Sequence, residues 1–336
     1  MLTKFSLHNE GQTPVYSSES TNNGIVGYTD NQAEFIVSKD NPIYIIFGDN
    51  TRSFNIATES FCVMDNVKVL TINKIYSIKK LIYIISSWKR CIPNKGYSRH
   101  WTFAKNILFN LPILKNGKID FDFMENFIAE IENDRIANLN AYLTANNLKD
   151  YNLSTEEQKV LEDFEKDKIK FGVFKIGELF DIATGRDVII GSVLDGNIPL
   201  ISHQHNDNGI SKKIALLSNR RLFNFKNTLS LADRGVFLAS TQNEDFHIGT
   251  RVKALKFKDS EKTLKNRLFY VTSINKLQIL FTDYSSNATD NLPNLNITLP
   301  IKNAQPNYAL METLIGAIQK LVIKEVVLYV NNKTKK

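Results

Sequence analysis

The chain has 336 residues, of which 43% are hydrophobic and 23% charged, as in a globular protein long enough to form two cores. Its net charge of +7 suits a polyanionic partner but is common among enzymes, so charge alone assigns no function. The first residues do not read as a signal peptide, and Lys and Glu interrupt the longest apolar stretch, 308–330, which argues against a membrane span. Cys62 and Cys91 predict reduced thiols in a cytoplasmic protein with no membrane partner.

Residues 1–113 are predicted to form mostly strands. The short segments 43–47 and 67–72 are rich in β-branched and aromatic residues and are bounded by turn residues. The apolar segment 81–87 fits a helix or a strand equally well. Residues 174–301 show the same order of elements.

An amphipathic helix is predicted after each of these regions. The first begins near Asp120 and ends at Asn146-Asn147, and a second helix starts at Ser154, where Glu157 completes a capping box. The last helix follows Pro306. The stripes at spacings of three and four are Met124, Phe127, Ile128, Ile131, Leu139 and Tyr142 in the first helix, and Met311, Ile315, Ile318, Val322 and Val326 in the last. We expect these stripes to pack in a core and the two helices to pair with each other.

The second half of the chain repeats the first at a nearly constant offset. The matches are Gly11, Pro14 and Ser17 with Gly196, Pro199 and Ser202, Asn23-Gly24-Ile25 with Asn208-Gly209-Ile210, Tyr97-Ser98 with Tyr284-Ser285, and Leu111-Pro112-Ile113 with Leu299-Pro300-Ile301. The period is too long for a solenoid, so it indicates two copies of a whole domain plus a helix. The second copy opens with a predicted strand and turn at 174–180, whose counterpart would fall before residue 1. We therefore expect the first copy to lack its opening strand, as a truncated product or as a chain whose start lies on another polypeptide.

These motifs resemble the DNA-specificity (S) subunit of Type I restriction–modification systems and of related Type IIB and IIG systems. The residues that carry the resemblance are Phe174-x-Ile176-Gly177-x-Leu179-Phe180, Gly196-x-x-Pro199-x-Ile201-Ser202, Phe246-x-Ile248-Gly249-Thr250-x-Val252 and Leu299-Pro300-Ile301. The resemblance implies an α/β fold with two repeated target-recognition domains, each with a twisted sheet, joined by long antiparallel helical spacers. It also implies a non-catalytic subunit that binds a bipartite site in double-stranded DNA and holds methyltransferase and restriction subunits, separate or fused. S-adenosylmethionine would bind the methyltransferase partner, and this chain would carry no cofactor.

The expected domain limits follow the repeat. Residues 1–118 form the first target-recognition domain, 119–171 a helical spacer, 172–304 the second target-recognition domain and 305–336 a C-terminal spacer helix. One alternative is an adenine methyltransferase, because Asn41-Pro42-Ile43-Tyr44 resembles the Asn-Pro-Pro-Tyr motif of those enzymes, although no glycine-rich cofactor turn precedes it. A second alternative is a degenerate specificity chain that acts as a helical interaction module.

The candidate DNA-binding residues are polar side chains, some of which lie on equivalent loops of the two copies. They are Lys95, Tyr97, Ser98, Arg99 and His100 in the first copy, and Ser202, His203, His205, Lys212, Lys213, Arg234, Tyr284, Ser285, Ser286 and Asn287 in the second. Arg can bond guanine, Asn can bond adenine, and Lys or Arg can contact phosphates. Different polar residues on equivalent loops suit two different half-sites, although each residue also fits an ordinary polar surface.

The spacing of His203 and His205 would place both rings on one face of a strand, with Asp207 nearby. Zinc normally takes three or four ligands, so we favour polar contacts to DNA and predict no metal site.

Overall fold

The computed structural model describes residues 7–8, 10–233, 237–281 and 291–335. It divides into two compact units, Met1–Leu139 and Asn140–Lys336. Helices and small sheets are mixed in both units, as the predicted α/β class requires. No helix in the described ranges is both long and apolar enough to cross a bilayer.

In its described residues, the first unit has two three-stranded sheets and three α-helices. Its elements are β1 (Thr13–Tyr16), β2 (Ile25–Thr29), β3 (Tyr44–Gly48), β4 (Ser53–Ala57), β5 (Cys62–Val63), β6 (Val67–Leu70), α1 (Ile78–Cys91), α2 (Trp101–Ala104) and α3 (Phe121–Ala145), the last of which continues into the second unit. The small sheet has the order β2-β1-β5, with β5 parallel to β1, and the central sheet is antiparallel with the order β4-β3-β6.

The core of the first unit lies on both faces of β3, whose five residues are all buried. On one face, Tyr44 and Ile46 pack with Tyr16 and Phe61. On the other, Ile45 packs against Leu81 and Ile85 of α1. The ambiguous segment 81–87 is therefore helical. The Ser77 side chain caps its N-terminus by accepting from the Lys80 amide at 3.3 Å, and Leu81 and Ile85 lie on one helical face.

The second unit repeats this order with additional strands. Its elements are α4 (Thr155–Glu165), β7 (Phe171–Lys175), α5 (Ile176–Leu179), β8 (Phe180–Thr184), β9 (Asp195–Ile201), β10 (Ile210–Ile214), β11 (Thr228–Asp233), β12 (Phe237–Ser240), β13 (His247–Ile248), β14 (Val252–Phe257), α6 (Leu264–Asn275), β15 (Asn296–Lys302), β16 (Gln305–Pro306) and α7 (Tyr308–Thr334). The sheets are β10-β9-β13, β12-β11-β14-β8 and β16-β15-β7.

The fourth strand of the larger sheet is the main difference between the units. β8 pairs antiparallel with β14 and brings Phe180 opposite Phe257, where both rings contact Tyr270 in the core. The described residues of the first unit supply no counterpart to β8. Within that part of the chain, the outer edge of β6 is open.

The repeated Asn-Gly motif forms the same turn in both units. Asn23 and Asn208 have φ values of 49° and 51°, and Gly24 and Gly209 have φ values of 80° and 82°. Asn tolerates the left-handed region better than most residues, and Gly adopts it without steric cost. The turn therefore explains why this pair is kept in both copies, directly before β2 and β10.

The helices lie where the sequence predicts them, but their packing agrees with the prediction only in part. α4 has the predicted capping box, in which the Ser154 hydroxyl accepts from the Glu157 amide at 3.1 Å and the Ser154 amide donates to the Glu157 carboxylate at 2.8 Å.

Met124 of α3 and Met311 of α7 are fully buried. The expectation that both stripes are entirely buried is wrong, because several members of each remain solvent-exposed although they share one helical face with the buried methionine. The stripe residues left exposed are Phe127 (43%), Ile131 (44%) and Tyr142 (58%) in α3, and Ile318 (38%) and Val322 (73%) in α7.

A partly buried polar cluster holds the start of α7 in the second unit. The Tyr308 hydroxyl donates to the Asp259 carboxylate at 2.7 Å, and the Lys262 ammonium lies 4.4 Å from the centre of the Tyr308 ring. Burial, with the Asp259 charge as a further cause, raises the pKa of Tyr308 to about 12. The hydroxyl therefore remains a donor at neutral pH.

Candidate nucleic-acid interface

Loop 95–101 of the first unit joins α1 to α2 and presents several polar groups to solvent. Tyr97 is 89% exposed, and the Arg99 side chain is 62% exposed. Lys95 is also exposed. The loop thus offers an aromatic ring and two cations, which can stack on or bond to nucleic acid.

The buried carboxylate of Asp49, directly after β3, holds the C-terminal part of this loop. One oxygen, Oδ1, accepts from the Trp101 amide at 2.6 Å, which satisfies a free N–H at the start of α2. The other oxygen, Oδ2, lies 3.5 Å from Nη1 of Arg99. A single side chain therefore fixes both the backbone of the loop and its most prominent cation.

The remainder of the β3–β4 turn holds the rest of the segment. The Asn50 side-chain amide donates to the Tyr97 hydroxyl at 3.3 Å, and Nη1 of Arg52 donates to the Ile92 carbonyl at 2.8 Å. Arg52 adopts a positive φ of 58°, which turns the chain back into β4. The turn and the loop therefore form one structural unit.

His100 and Ser98 differ from the prediction that they contact DNA. His100 is fully buried, and its Nε2 accepts from the Lys95 amide at 3.2 Å. Its Nδ1 must then carry the proton that is shared with the Asp49 carbonyl at 2.9 Å. With both ring nitrogens occupied, His100 closes the loop from inside and cannot reach a base. The Ser98 hydroxyl oxygen is also buried, so it does not face an external ligand.

His203 and His205 lie in a loop, and their predicted placement on a strand is wrong. β9 ends at Ile201, and the Gln204 side chain then donates to the Ile210 carbonyl at 2.6 Å, which turns the chain into β10. Both imidazoles are exposed, while Ser202 is half-buried. Among the described residues, no group of three His, Cys, Asp or Glu side chains could hold a metal ion.

The two lysines of β10 carry local counter-ions. Lys212 Nζ lies 2.9 Å from an Asp195 carboxylate oxygen and donates to the Val193 carbonyl at 3.1 Å. Lys213 Nζ lies 2.5 Å from a Glu244 carboxylate oxygen. A DNA phosphate would have to compete with these carboxylates for either lysine. Arg234, Tyr284, Ser285, Ser286 and Asn287 lie outside the described residues.

A basic cavity of about 300 Å³ opens in the second unit beside the end of β8. Its lining includes Arg186, Arg220 and Arg221, together with Phe223. The Arg221 guanidinium lies 5.0 Å from the centre of the Phe223 ring, and Nη2 of Arg220 donates to the Asp187 carbonyl at 3.0 Å. This arrangement presents positive charge at a concave surface, which suits a phosphate group. Arg220 and Arg221 are adjacent in the sequence, and such a basic pair is typical of a phosphate contact.

Buried groups inside the two units support these loops, although little in the sequence indicates them. In the second unit, Nε2 of the fully buried His247 accepts from the Leu217 amide at 3.2 Å, while its Nδ1 bonds the Arg221 carbonyl at 2.9 Å. These two hydrogen bonds of His247 position the loop that carries Arg220 and Arg221 of the cavity. At the equivalent position in the first unit, the Cys62 thiol contacts the Gln32 carbonyl at 3.4 Å.

Comparison with known proteins shows which family the chain belongs to. The Type I restriction modification DNA specificity domain matches residues 1–141 and again 168–327. The chain belongs to this family. It carries two copies of the DNA specificity domain, as the repeat predicts, and is a specificity subunit of a restriction–modification system, as the resemblance of its motifs implies.

One curated protein and one solved structure match nearly the whole chain. The specificity subunit S.BcgI of a Type II restriction enzyme from Heyndrickxia coagulans is 24% identical over 331 residues, which cover 94% of this chain and 88% of the relative. The crystal structure of the Type I restriction–modification S subunit from M. genitalium matches with a TM-score of 0.58 at 14% identity, over 99% of this chain and 87% of that one. The structural match supports the specificity-subunit fold.

Family membership also answers the methyltransferase alternative. Specificity subunits are non-catalytic, and Tyr44 of the Asn-Pro-Ile-Tyr motif is a core residue in this chain. Tyr44 is 8% exposed, packs against Phe35 and Phe61, and donates its hydroxyl to the Ile36 carbonyl at 3.0 Å. It is therefore committed to the core and cannot hold a substrate base.

Proposed function

We propose that the two units each recognise one half of a bipartite sequence in double-stranded DNA and so direct methyltransferase and restriction subunits to it. The observation that carries this proposal is the repeated strand order of the two units, β2-β1-β5 with β4-β3-β6 and β10-β9-β13 with β12-β11-β14-β8. Equivalent scaffolds that display different polar loops suit two different half-sites.

In the first unit, we propose that Arg99 reads a base and that Tyr97 and Lys95 contact the sugar–phosphate backbone. The exposure of all three side chains supports this assignment. His100 and Ser98 are left out because their polar atoms are buried.

In the second unit, we propose that Ser202, His203 and His205 face DNA from the β9–β10 loop and that Lys212 and Lys213 contact phosphates. The exposure of both imidazoles supports the first assignment. Arg234 and the segment Tyr284, Ser285, Ser286 and Asn287 stay proposals from the sequence, because Arg can reach phosphate or guanine and Asn can bond adenine.

We propose the domain limits 1–118, 119–171, 172–304 and 305–336, with α3 and α7 as antiparallel spacers. The 25 residues of α3 span roughly 38 Å at ~1.5 Å per residue. This length is close to one DNA turn of roughly 34–36 Å, so such a spacer can hold two domains on one side of a duplex.

The exposed apolar strip of α3 is the proposed contact for the methyltransferase subunit, which would also bind S-adenosylmethionine. Phe123, Phe127 and Ile131 are 47%, 43% and 44% exposed, although monomeric proteins rarely leave contiguous apolar side chains uncovered. The free thiols of Cys62 and Cys91 support a cytoplasmic location, where thiols stay reduced.

Coexpression of the chain with a methyltransferase subunit of its own system, followed by sequencing of methylated DNA, tests the proposal. The expected result is one motif made of two half-sites separated by a fixed spacer. Exchange of residues 172–304 for those of a related chain should change one half-site and leave the other unchanged. Binding of the methyltransferase without methylation of any motif would contradict the proposal and favour the degenerate interaction module.

A further inference from the structure

Asp49 is a buried acidic residue in the first unit, where it is 3% exposed. A carboxylate is rarely buried unless a cation or several hydrogen bonds compensate its charge. Its place directly after the central strand makes it part of the scaffold, but both of its oxygens face loop 95–101. This combination links the sheet to the loop that we propose reads DNA.

The internal repeat supplies a direct comparison, because Asp233 occupies the equivalent position in the second unit. The Asp49 amide donates to the Asn66 carbonyl at 2.8 Å, and the Asp233 amide donates to the Arg251 carbonyl at 3.3 Å. Both acceptors directly precede the neighbouring strand, β6 or β14. Asp233 is also buried, at 2% exposure.

The partners of the two carboxylates differ. Asp233 pairs at 3.3 Å with the ammonium of Lys253 in β14, which also donates to the Thr184 hydroxyl of β8 at 3.0 Å. Asp49 instead pairs with Arg99, which lies on the loop. The Asp233–Lys253 ion pair thus lies between strands of the sheet, whereas the Asp49–Arg99 ion pair joins the sheet to the loop.

We propose that Asp49 is the positioning residue that sets the Arg99 guanidinium to read a base in the first half-site. This inference rests on the proposed function, because it requires loop 95–101 to face DNA. The ion pair involves Nη1 of Arg99. Because the Arg99 side chain is 62% exposed, the N–H donors of its planar guanidinium stay accessible to a partner. A guanidinium held in this way can present two donors to O6 and N7 of guanine.

The Asp49 charge also favours a base over a phosphate as the partner of Arg99. A nearby carboxylate offsets part of the positive charge that would attract phosphate, but it does not remove the directional N–H donors. A fixed guanidinium also loses less rotational freedom on binding than a free one does. Both effects give sequence discrimination at the expense of nonspecific affinity.

The test uses the chain in complex with its methyltransferase subunit and a set of duplexes in which each base pair of the methylated motif is changed in turn. The variants are Asp49→Asn, Arg99→Ala and the double variant. Asp49→Asn retains an acceptor for the Trp101 amide but removes the charge that holds Arg99. Asp233→Asn is the matched control in the second unit and should leave preferences in the first half-site unchanged.

We expect Arg99→Ala to lose about 5-fold to 150-fold discrimination at one base pair. Asp49→Asn should lose at least about 5-fold at the same base pair, and the double variant should discriminate no worse than Arg99→Ala alone. Hydrogen exchange in β3 checks the fold, and Asp49→Glu, which keeps the charge but displaces the carboxylate, replaces Asp49→Asn if that variant is unfolded.

Three results separate this inference from the proposed function. Loss of discrimination with Arg99→Ala but not with Asp49→Asn or Asp49→Glu would overturn the positioning role and leave the reading role intact. Unchanged discrimination in all the variants would overturn both, because the loop would then not read a base. Additive losses at different base pairs would also refute positioning.

Discussion

Replacement of Lys253 by methionine should destabilise the second unit by about 3–5 kcal/mol, because it leaves the buried Asp233 carboxylate without the Lys253 charge. The Lys253 and Asp233 side chains are only 5% and 2% exposed, and their charged atoms are 3.3 Å apart. At that distance, the Coulomb attraction is about 5 kcal/mol for an effective dielectric constant of ~20, in line with the expected loss. Methionine keeps most of the lysine volume, so the result should not be dominated by a cavity.

Lys68 of β6 is the matched control, because it occupies the position of Lys253 in the first unit but is half-exposed. Lys68→Met should change the free energy of unfolding by no more than about 0.5 kcal/mol. Urea unfolding, together with hydrogen exchange of β11 amides, measures the effect and assigns it to the second unit. A change below about 1 kcal/mol for Lys253→Met, or equal changes in both variants, would refute the argument that burial makes this ion pair important.

Three further predictions concern exchange, DNA binding and assembly. Amides in Val67–Leu70 should exchange at least about tenfold faster than those in Val252–Phe257, because β14 is paired on both edges; equal protection would show that β6 is also covered. Arg99→Ala should weaken specific binding by about 1–3 kcal/mol, whereas Lys212→Ala should weaken specific and nonspecific binding alike and reduce the salt dependence by about one phosphate contact. Phe127→Ala removes ring contacts with Tyr83 and Phe123, so it should lower the free energy of unfolding by about 1 kcal/mol. It should also weaken methyltransferase binding by at least about tenfold in a pull-down titration, and unchanged binding would remove α3 from the proposed contact.

The sequence predicted most of the local elements because their signals are short-range. The Ser154 and Glu157 pair predicted the start of α4, and the repeated Asn-Gly pair marked equivalent turns. The ambiguity at 81–87 had a local solution, since Ser77 caps α1 and Leu81 and Ile85 share one helical face.

The functional loops were less predictable because burial of a polar residue depends on distant partners. His100 has the composition of an exposed loop residue, but Asp49, 51 positions earlier, accepts its ring proton inside the fold. The strand predicted at His203 fails because the Gln204 side chain closes a turn onto Ile210. Neither contact leaves a periodic pattern in the sequence, so only the folded chain separates these residues from exposed ones such as Arg99.

The open edge of β6 also bears on how copies of the protein behave towards one another. An unpaired edge in the described part of the first unit is a template on which a second molecule can align, with Val67 and Val69 supplying the apolar face. Lys68 lies between them, and edge-to-edge alignment would force its charge into a crowded, partly dehydrated seam. We therefore expect Lys68 to oppose edge-to-edge association of concentrated molecules while it adds little to the stability of any single one.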